Sequence, residues 1–317
     1  MLSTPWSAQF GLRVPIVNAP MGGVAGGRLA TAVSAAGGLG MVGLGSAANR
    51  ELLATQLRHI GGHAAGRFGI GLVDWVMRNE KGLLQDALAA RPALLSVSFG
   101  TGWSWVAQAH DAGITTATQV YDAQGARRAV DAGVDIVVAR GAEGGGHGET
   151  RLGTLPLLDA VLDAVSVPVL AGGGIASARS LAAVLAAGAS GAWVGTRLSA
   201  CPEALTGDAS RRALITARST DTAVTRAFDV ASGLPWPARF PSRVLANDFV
   251  ARWAGHEEAL DARACDELAE AVANDDRSIA PVDAGQGVGM IRDDASVAQV
   301  IDEMCSGAAR LLAGWNT

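Results

Sequence analysis

The sequence predicts a closed α/β barrel of eight parallel strands, a (β/α)8 or TIM barrel, with a mostly helical insertion between the eighth strand and the last helix. Three observations lead there. Eight short apolar runs recur along the first two-thirds of the chain. Segments with helical periodicity lie between them. Several of those segments end in a glycine just before the next run.

The runs occupy residues 14–18, 39–42, 68–72, 94–97, 115–119, 136–139, 168–171 and 191–194. Each has strand length and little internal alternation, as expected of parallel strands buried on both faces. Between the first two, residues 28–36 place Leu29, Ala32, Val33 and Ala36 on one helical face. Residues 122–132 open with Asp122 as N-cap and stop at Gly133. Residues 177–187 repeat the device with Ser177 and Gly188, and Ala36-Gly37-Gly38 ends the earlier helix in the same style. Periodicity alone leaves a doubly wound open sheet as the alternative; eight evenly spaced strands alternating with helices favour closure.

After Val194 the rhythm changes. Residues 201–283 hold Pro235-Trp236-Pro237, Pro241 and several polar helical segments. They are expected to form an insertion over the barrel mouth. The barrel itself is assigned to residues 1–200 and 284–317, with residues 296–312 as its last helix and Ser296 as N-cap.

Composition narrows the function. The 317 residues are 49% hydrophobic and 17% charged, which suits one large core and argues against disorder. The net charge of −5 comes with no basic patch, against a nucleic-acid partner. Cys201, Cys265 and Cys305 are scattered and form no pair, so neither a disulfide framework nor a zinc site is expected, and a reducing, cytoplasmic location is. Residues 1–15 lack a charged segment followed by an apolar one, so no secretory leader is expected. No uncharged run reaches the roughly 18 residues a membrane helix needs; residues 161–176 come nearest.

Catalytic groups of such a barrel gather at strand C-termini. The seventh strand runs into Gly172-Gly173-Gly174, just before the helix capped by Ser177. The eighth runs into Gly195-Thr196-Arg197. Glycines let backbone N–H groups approach a phosphate, and two adjacent strand ends carry the pattern together. Tight turns alone are the competing explanation. The first strand ends in Asn18-Ala19-Pro20-Met21-Gly22-Gly23, an extended segment able to lie along a flat ring or to serve as an ordinary loop. The sixth ends in Arg140 and then Gly141-Ala142-Glu143-Gly144-Gly145-Gly146-His147-Gly148-Glu149. His147 follows three glycines at the mouth with no apolar pattern to explain it. It is the candidate for proton transfer or substrate binding. His59, His63, His110 and His256 are read as surface or structural. Glu143 and Glu149 flank His147 and are either its partners or solvated loop carboxylates. No metal-ligand spacing and no nucleophile elbow is present.

Taken in order, Asn18-Ala19-Pro20-Met21-Gly22, Glu143-Gly144-Gly145-Gly146-His147, Ala171-Gly172-Gly173-Gly174-Ile175 and Val194-Gly195-Thr196-Arg197 resemble the nitronate monooxygenase family. The resemblance covers residues 10–200 and resumes at Ala284-Gly285-Gln286-Gly287-Val288-Gly289. Flavin-dependent enoyl-acyl-carrier-protein reductases share nearly all of it. It implies one FMN per barrel, with Gly172, Gly173, Gly174, Gly195 and Thr196 at its phosphate. Ala19, Pro20, Met21 and Gly22 would line the isoalloxazine, joined by Gln119, Gly145 and Gly146, with His147 facing the substrate. It further implies a nitronate or nitroalkane substrate and O2; a homodimer is compatible with it. Three positions depart from the family: Gly144 stands for alanine, Arg140 for glutamine, and Gly71 for an asparagine near the flavin. Two other functions fit the same motifs, an NAD(P)H-dependent flavin reductase of enoyl thioesters or quinones and a non-catalytic flavin-binding protein.

Overall fold

The computed structural model describes residues 2–61 and 67–314. Eleven strands follow in chain order: β1 (Ile16–Asn18), β2 (Gly40–Leu44), β3 (Phe68–Val73), β4 (Leu94–Ser98), β5 (Thr115–Val120), β6 (Ile136–Arg140), β7 (Gly146–His147), β8 (Val169–Gly172), β9 (Gly191–Val194), β10 (Thr222–Thr225) and β11 (Ser242–Leu245). Eight of them form one parallel sheet in the order β1-β9-β8-β6-β5-β4-β3-β2. These are the eight apolar runs of the sequence. The eighth barrel strand is therefore β9, because the short β7 lies outside the barrel.

The sheet closes between β1 and β2 by a single bridge, Val17 to Leu39. Asn18 completes that seam with its side chain. Its Oδ1 accepts from the Met41 N–H at 2.6 Å, and its Nδ2 donates to the Met41 carbonyl at 2.9 Å. The buried amide thus supplies the hydrogen bonds that a longer ladder would have made. The fold is a (β/α)8 barrel rather than an open doubly wound sheet.

Alternation along each strand sorts the core into two layers. Val17, Met41, Leu94, Val138, Leu170 and Trp193 fill the barrel interior with Trp6 and Leu12. Trp6 belongs to an N-terminal helix, Pro5–Gln9, held by a Thr4–Ser7 capping box. Their neighbours Ile16, Val42, Leu95 and Ala171 face the surrounding helices. Each fully buried Val, Leu, Ile or Met among them contributes about 1.5–3 kcal/mol.

The helices begin where the sequence marks them. Asp122 caps Ala123–Asp131, Ser177 caps Ala178–Ala186, and Ser296 caps Val297–Ala313. Gly37, Gly133 and Gly188 follow their helices with positive φ, the left-handed exit that glycine permits. The last helix packs on Ala178–Ala186, with Gly307 close against Ala178.

The insertion contains the helices Asp208–Thr216, Ala227–Ala231, Asp248–Trp253 and Ala262–Ala273 and also two strands, β10 and β11. These strands are an addition to the mostly helical segment the sequence predicts. Phe228, Val244, Phe249, Leu268 and Ala280 give it a small core of its own. β11 pairs antiparallel with β10 on one side and with β7 on the other, placing Ser242 opposite His147.

Candidate active site

The predicted site residues meet at one end of the barrel. Ala19 and Met21, beyond β1, lie beside Gly195, beyond β9: a Cβ built on Gly195 would stand 3.4 Å from Met21 Sδ and 3.6 Å from Ala19 Cβ. Thr196 Oγ1 accepts from the Gly285 N–H at 2.9 Å. Gly285 packs in turn on Gly145, where a Cβ would meet Gly285 N at 2.5 Å. A Cβ on Gly173 would stand 2.9 Å from the Gly141 carbonyl oxygen, so the end of β8 abuts the glycine-rich loop after β6. Gln119 sits at the end of β5, its Oε1 accepting from the Tyr121 hydroxyl at 3.2 Å. Gly22 packs on Gly45, and Gly172 is the buried last residue of β8.

Gly173 and Gly174 adopt φ of +109° and +68°, a backbone that side chains resist. Among the described residues, the N–H groups of Gly173, Gly174 and Gly195 have no protein acceptor. All three residues are half-buried. Half-buried backbone donors without protein acceptors are suited to an anion such as a phosphate. The Arg197 side chain does not join it; it faces Asp293 at 3.6 Å and Glu303.

The departures from the family pattern have physical reasons. A Cβ on Gly71 would lie 2.3 Å from Pro20 Cβ and Cγ. The pyrrolidine ring fills the space an asparagine would need. The buried Arg140 organises the glycine-rich loop: its Nη2 donates to the carbonyls of Gly144, Gly145 and Gly146 at 2.9, 2.9 and 3.0 Å. Cβ atoms on Gly144 and Gly148 would both run into this guanidinium.

His147 is held at three points. Ser242 pairs with its backbone across β7 and β11. Its Nε2 lies 3.0 Å from both carboxylate oxygens of Asp229. The indole of Trp236 stacks on its imidazole. Trp236 Nε1 donates to Ser46 Oγ at 3.0 Å, and its ring meets Trp75 and Phe99 edge to face. Phe240 and Tyr121 extend this apolar wall. The sequence does not single out Asp229 or Trp236 as site residues; Pro235-Trp236-Pro237 marks only the change of rhythm after the eighth strand.

The flanking glutamates do not touch His147. Glu143 accepts from the Thr154 N–H and hydroxyl at 2.9 and 2.8 Å, anchoring the start of helix Thr154–Leu162. Glu149 pairs with Arg151. A further carboxylate, Asp283, accepts from Ser242 Oγ at 2.8 Å. Burial pushes its acidity down, raising its pKa against the opposing pull of His147 and Ser242. Elsewhere, His59 and His256 are exposed and His110 pairs with Asp135 at 2.9 Å, while His63 lies outside the described residues. Burial pushes the Cys201 and Cys305 thiols up to about 12, so neither supplies a thiolate nucleophile.

This geometry coincides with a family match. The family model described as nitronate monooxygenase matches residues 3–81 and 79–307. The chain belongs to the nitronate monooxygenase family. It is 31% identical to the nitronate monooxygenase of Pseudomonas aeruginosa over 326 aligned positions, covering 79% of this chain and 92% of that protein. It is equally 31% identical to an indene-carboxyl-CoA dehydrogenase of Rhodococcus jostii, over 78% of this chain and 67% of that one. FabK from Thermotoga maritima superposes with a TM-score of 0.87 at 27% identity, covering 100% of this chain and 99% of that one. Membership makes the protein a flavin-type oxidoreductase acting on small molecules. Among the described residues, no helix is long and apolar enough to cross a membrane.

Proposed function

We propose that the protein is an FMN-dependent nitronate monooxygenase, oxidising alkyl nitronates and nitroalkanes with O2. The observation that carries this reading is the position of His147. Its imidazole stacks on Trp236 at the edge of a wall of aromatic rings, with a carboxylate on one ring nitrogen. In this reading Gly172, Gly173, Gly174, Gly195 and Thr196 hold the FMN phosphate. Ala19, Pro20, Met21 and Gly22 line the ring system with Gln119, Gly145 and Gly146. Bound FMN supplies the electron acceptor. The protein orients the substrate and, through His147, takes a proton from a neutral nitroalkane or hydrogen-bonds the nitronate anion. Residues 201–283 act as a cover over the mouth of a barrel built from residues 1–200 and 284–317. The unpaired cysteines favour a cytoplasmic setting.

A second reading, an NAD(P)H-dependent flavin reductase of enoyl thioesters or quinones, is favoured by similarity to the CoA dehydrogenase and to FabK. Anaerobic stopped-flow absorbance separates the two. Rapid bleaching of the flavin by an alkyl nitronate, with O2 uptake on aeration, supports the first. Rapid bleaching by NADH and none by nitronate replaces it with the second.

A further inference from the structure

We propose that Asp229 is the positioning residue of His147, holding the imidazole proton on Nε2 and leaving Nδ1 as the proton acceptor of the site. The inference rests on the proposed oxidation of nitroalkanes for its chemistry, but on the structure alone for its geometry.

Four carboxylates surround the glycine-rich loop, and three are committed elsewhere. Glu143 holds Thr154, Glu149 holds Arg151, and Asp283 holds Ser242. Of these four, Asp229 alone hydrogen-bonds the imidazole among the described residues, with both oxygens 3.0 Å from Nε2. The pair is sheltered: the side chains are 16% and 10% exposed. A carboxylate accepts and does not donate, so neutral His147 must carry its proton on Nε2. The lone pair then sits on Nδ1, which has no hydrogen-bond partner among the described residues.

The supports of this arrangement come from the insertion. Asp229 lies in the short helix Ala227–Ala231, whose Ala227 and Phe228 are buried in the insertion's own core. Trp236 fixes the plane of the ring by stacking, and β11 fixes the backbone of β7. The imidazole is therefore restrained in plane, tautomer and position by residues outside the barrel.

The step this serves is a proton transfer. The Cα–H bond of a neutral nitroalkane breaks, its proton bonds to Nδ1, and the electron pair remains on the substrate as the nitronate. The positive charge gained by the ring faces Asp229, which has no need to take up a proton itself. A nitronate supplied ready-made bypasses this step.

Two measurements test the proposal. In protein labelled with 15N-histidine, long-range 1H–15N spectra identify His147 by the loss of its signals in His147→Gln. Neutral His147 is expected to be protonated on Nε2 in the wild type and to populate both tautomers in Asp229→Asn. A wild-type ring protonated on Nδ1 overturns the proposal. In the second measurement, Asp229→Asn is expected to lower the ratio of turnover on nitroethane to turnover on ethyl nitronate on the order of 10²-fold, the lower end of what a general base contributes. An unchanged ratio, with both activities falling together, overturns the role in proton transfer. If the wild type oxidises neither compound, the proposed function fails while the spectra still decide the tautomer.

Discussion

The indole of Trp236 lies 3.6 Å from the imidazole of His147, centroid to centroid, with the two planes 7° apart. Trp236 is nearly buried and anchored to Ser46, so it tethers the insertion to the far side of the mouth. Trp236→Ala is expected to destabilise the protein by about 3–5 kcal/mol. Trp236→Phe keeps a ring over the imidazole and loses the Ser46 hydrogen bond, about 1 kcal/mol. Urea unfolding midpoints at constant slope read both values. Equal losses in the two variants would show that the stack contributes nothing.

Gly71 leaves no room for a side chain beside Pro20. Gly71→Ala is expected to displace the Pro20 segment and cost about 1–3 kcal/mol, as overpacking does. If that segment lines the flavin ring as proposed, the flavin-to-protein ratio of the purified variant falls. A variant with full stability and full flavin would detach Pro20 from cofactor binding.

Arg140 reaches three successive carbonyls with one nitrogen and a fourth, that of Gly141, with Nη1 at 3.2 Å. Burial lowers its pKa, yet the guanidinium keeps its charge in this setting. Arg140→Gln cannot span the loop and is expected to cost about 3 kcal/mol, since buried acceptors lose a charged donor. Thermal unfolding should record the loss, and amide exchange should speed up across residues 144–148. Unaltered exchange there would mean that β7–β11 pairing alone holds the loop.

Below the barrel, Asp135 Oδ2 accepts from the Thr116 N–H and hydroxyl at 2.8 and 2.6 Å and lies 2.9 Å from His110 Nε2. Burial alone would raise its pKa; the Thr116 and His110 contacts outweigh it and hold the carboxyl below its ordinary range. A depressed folded pKa stabilises the protein above the unfolded value of about 3.9, and that stability disappears as pH falls through the folded value. Asp135→Asn is expected to cost about 1–2 kcal/mol at neutral pH, reduced because the site is partly exposed. The gap from wild type should close below about pH 4. A gap independent of pH would assign the effect to packing.

Much of the fold was legible because its signals are local or periodic. Asp122, Ser177 and Ser296 announce helices within three residues of themselves. Continuous burial marks the barrel strands, as in β2 and β3. β10 and β11 escaped because they are short and half-exposed, with no continuous apolar run. The seam role of Asn18 escaped because a lone asparagine beside a strand also reads as the start of a loop. In the site, the glycines and His147 stood out by their unusual spacing. Asp229 did not, since 82 positions separate it from His147 and nothing near it in the chain requires a carboxylate. Contacts between a barrel and its insertion follow from tertiary packing, which no local pattern encodes.

The two-residue strand β7 finds its partner, β11, only after every strand of the barrel has already passed in the chain. A nascent polypeptide leaving the ribosome therefore exposes all eight barrel strands and the glycines of β8 and β9 before Ser242 or Asp229 can dock on His147. Domains fold as their residues emerge. The histidine loop thus waits for the insertion, and the barrel waits longer still for its last helix, Val297–Ala313, which packs on Ala178–Ala186 and emerges after both Asp229 and Ser242.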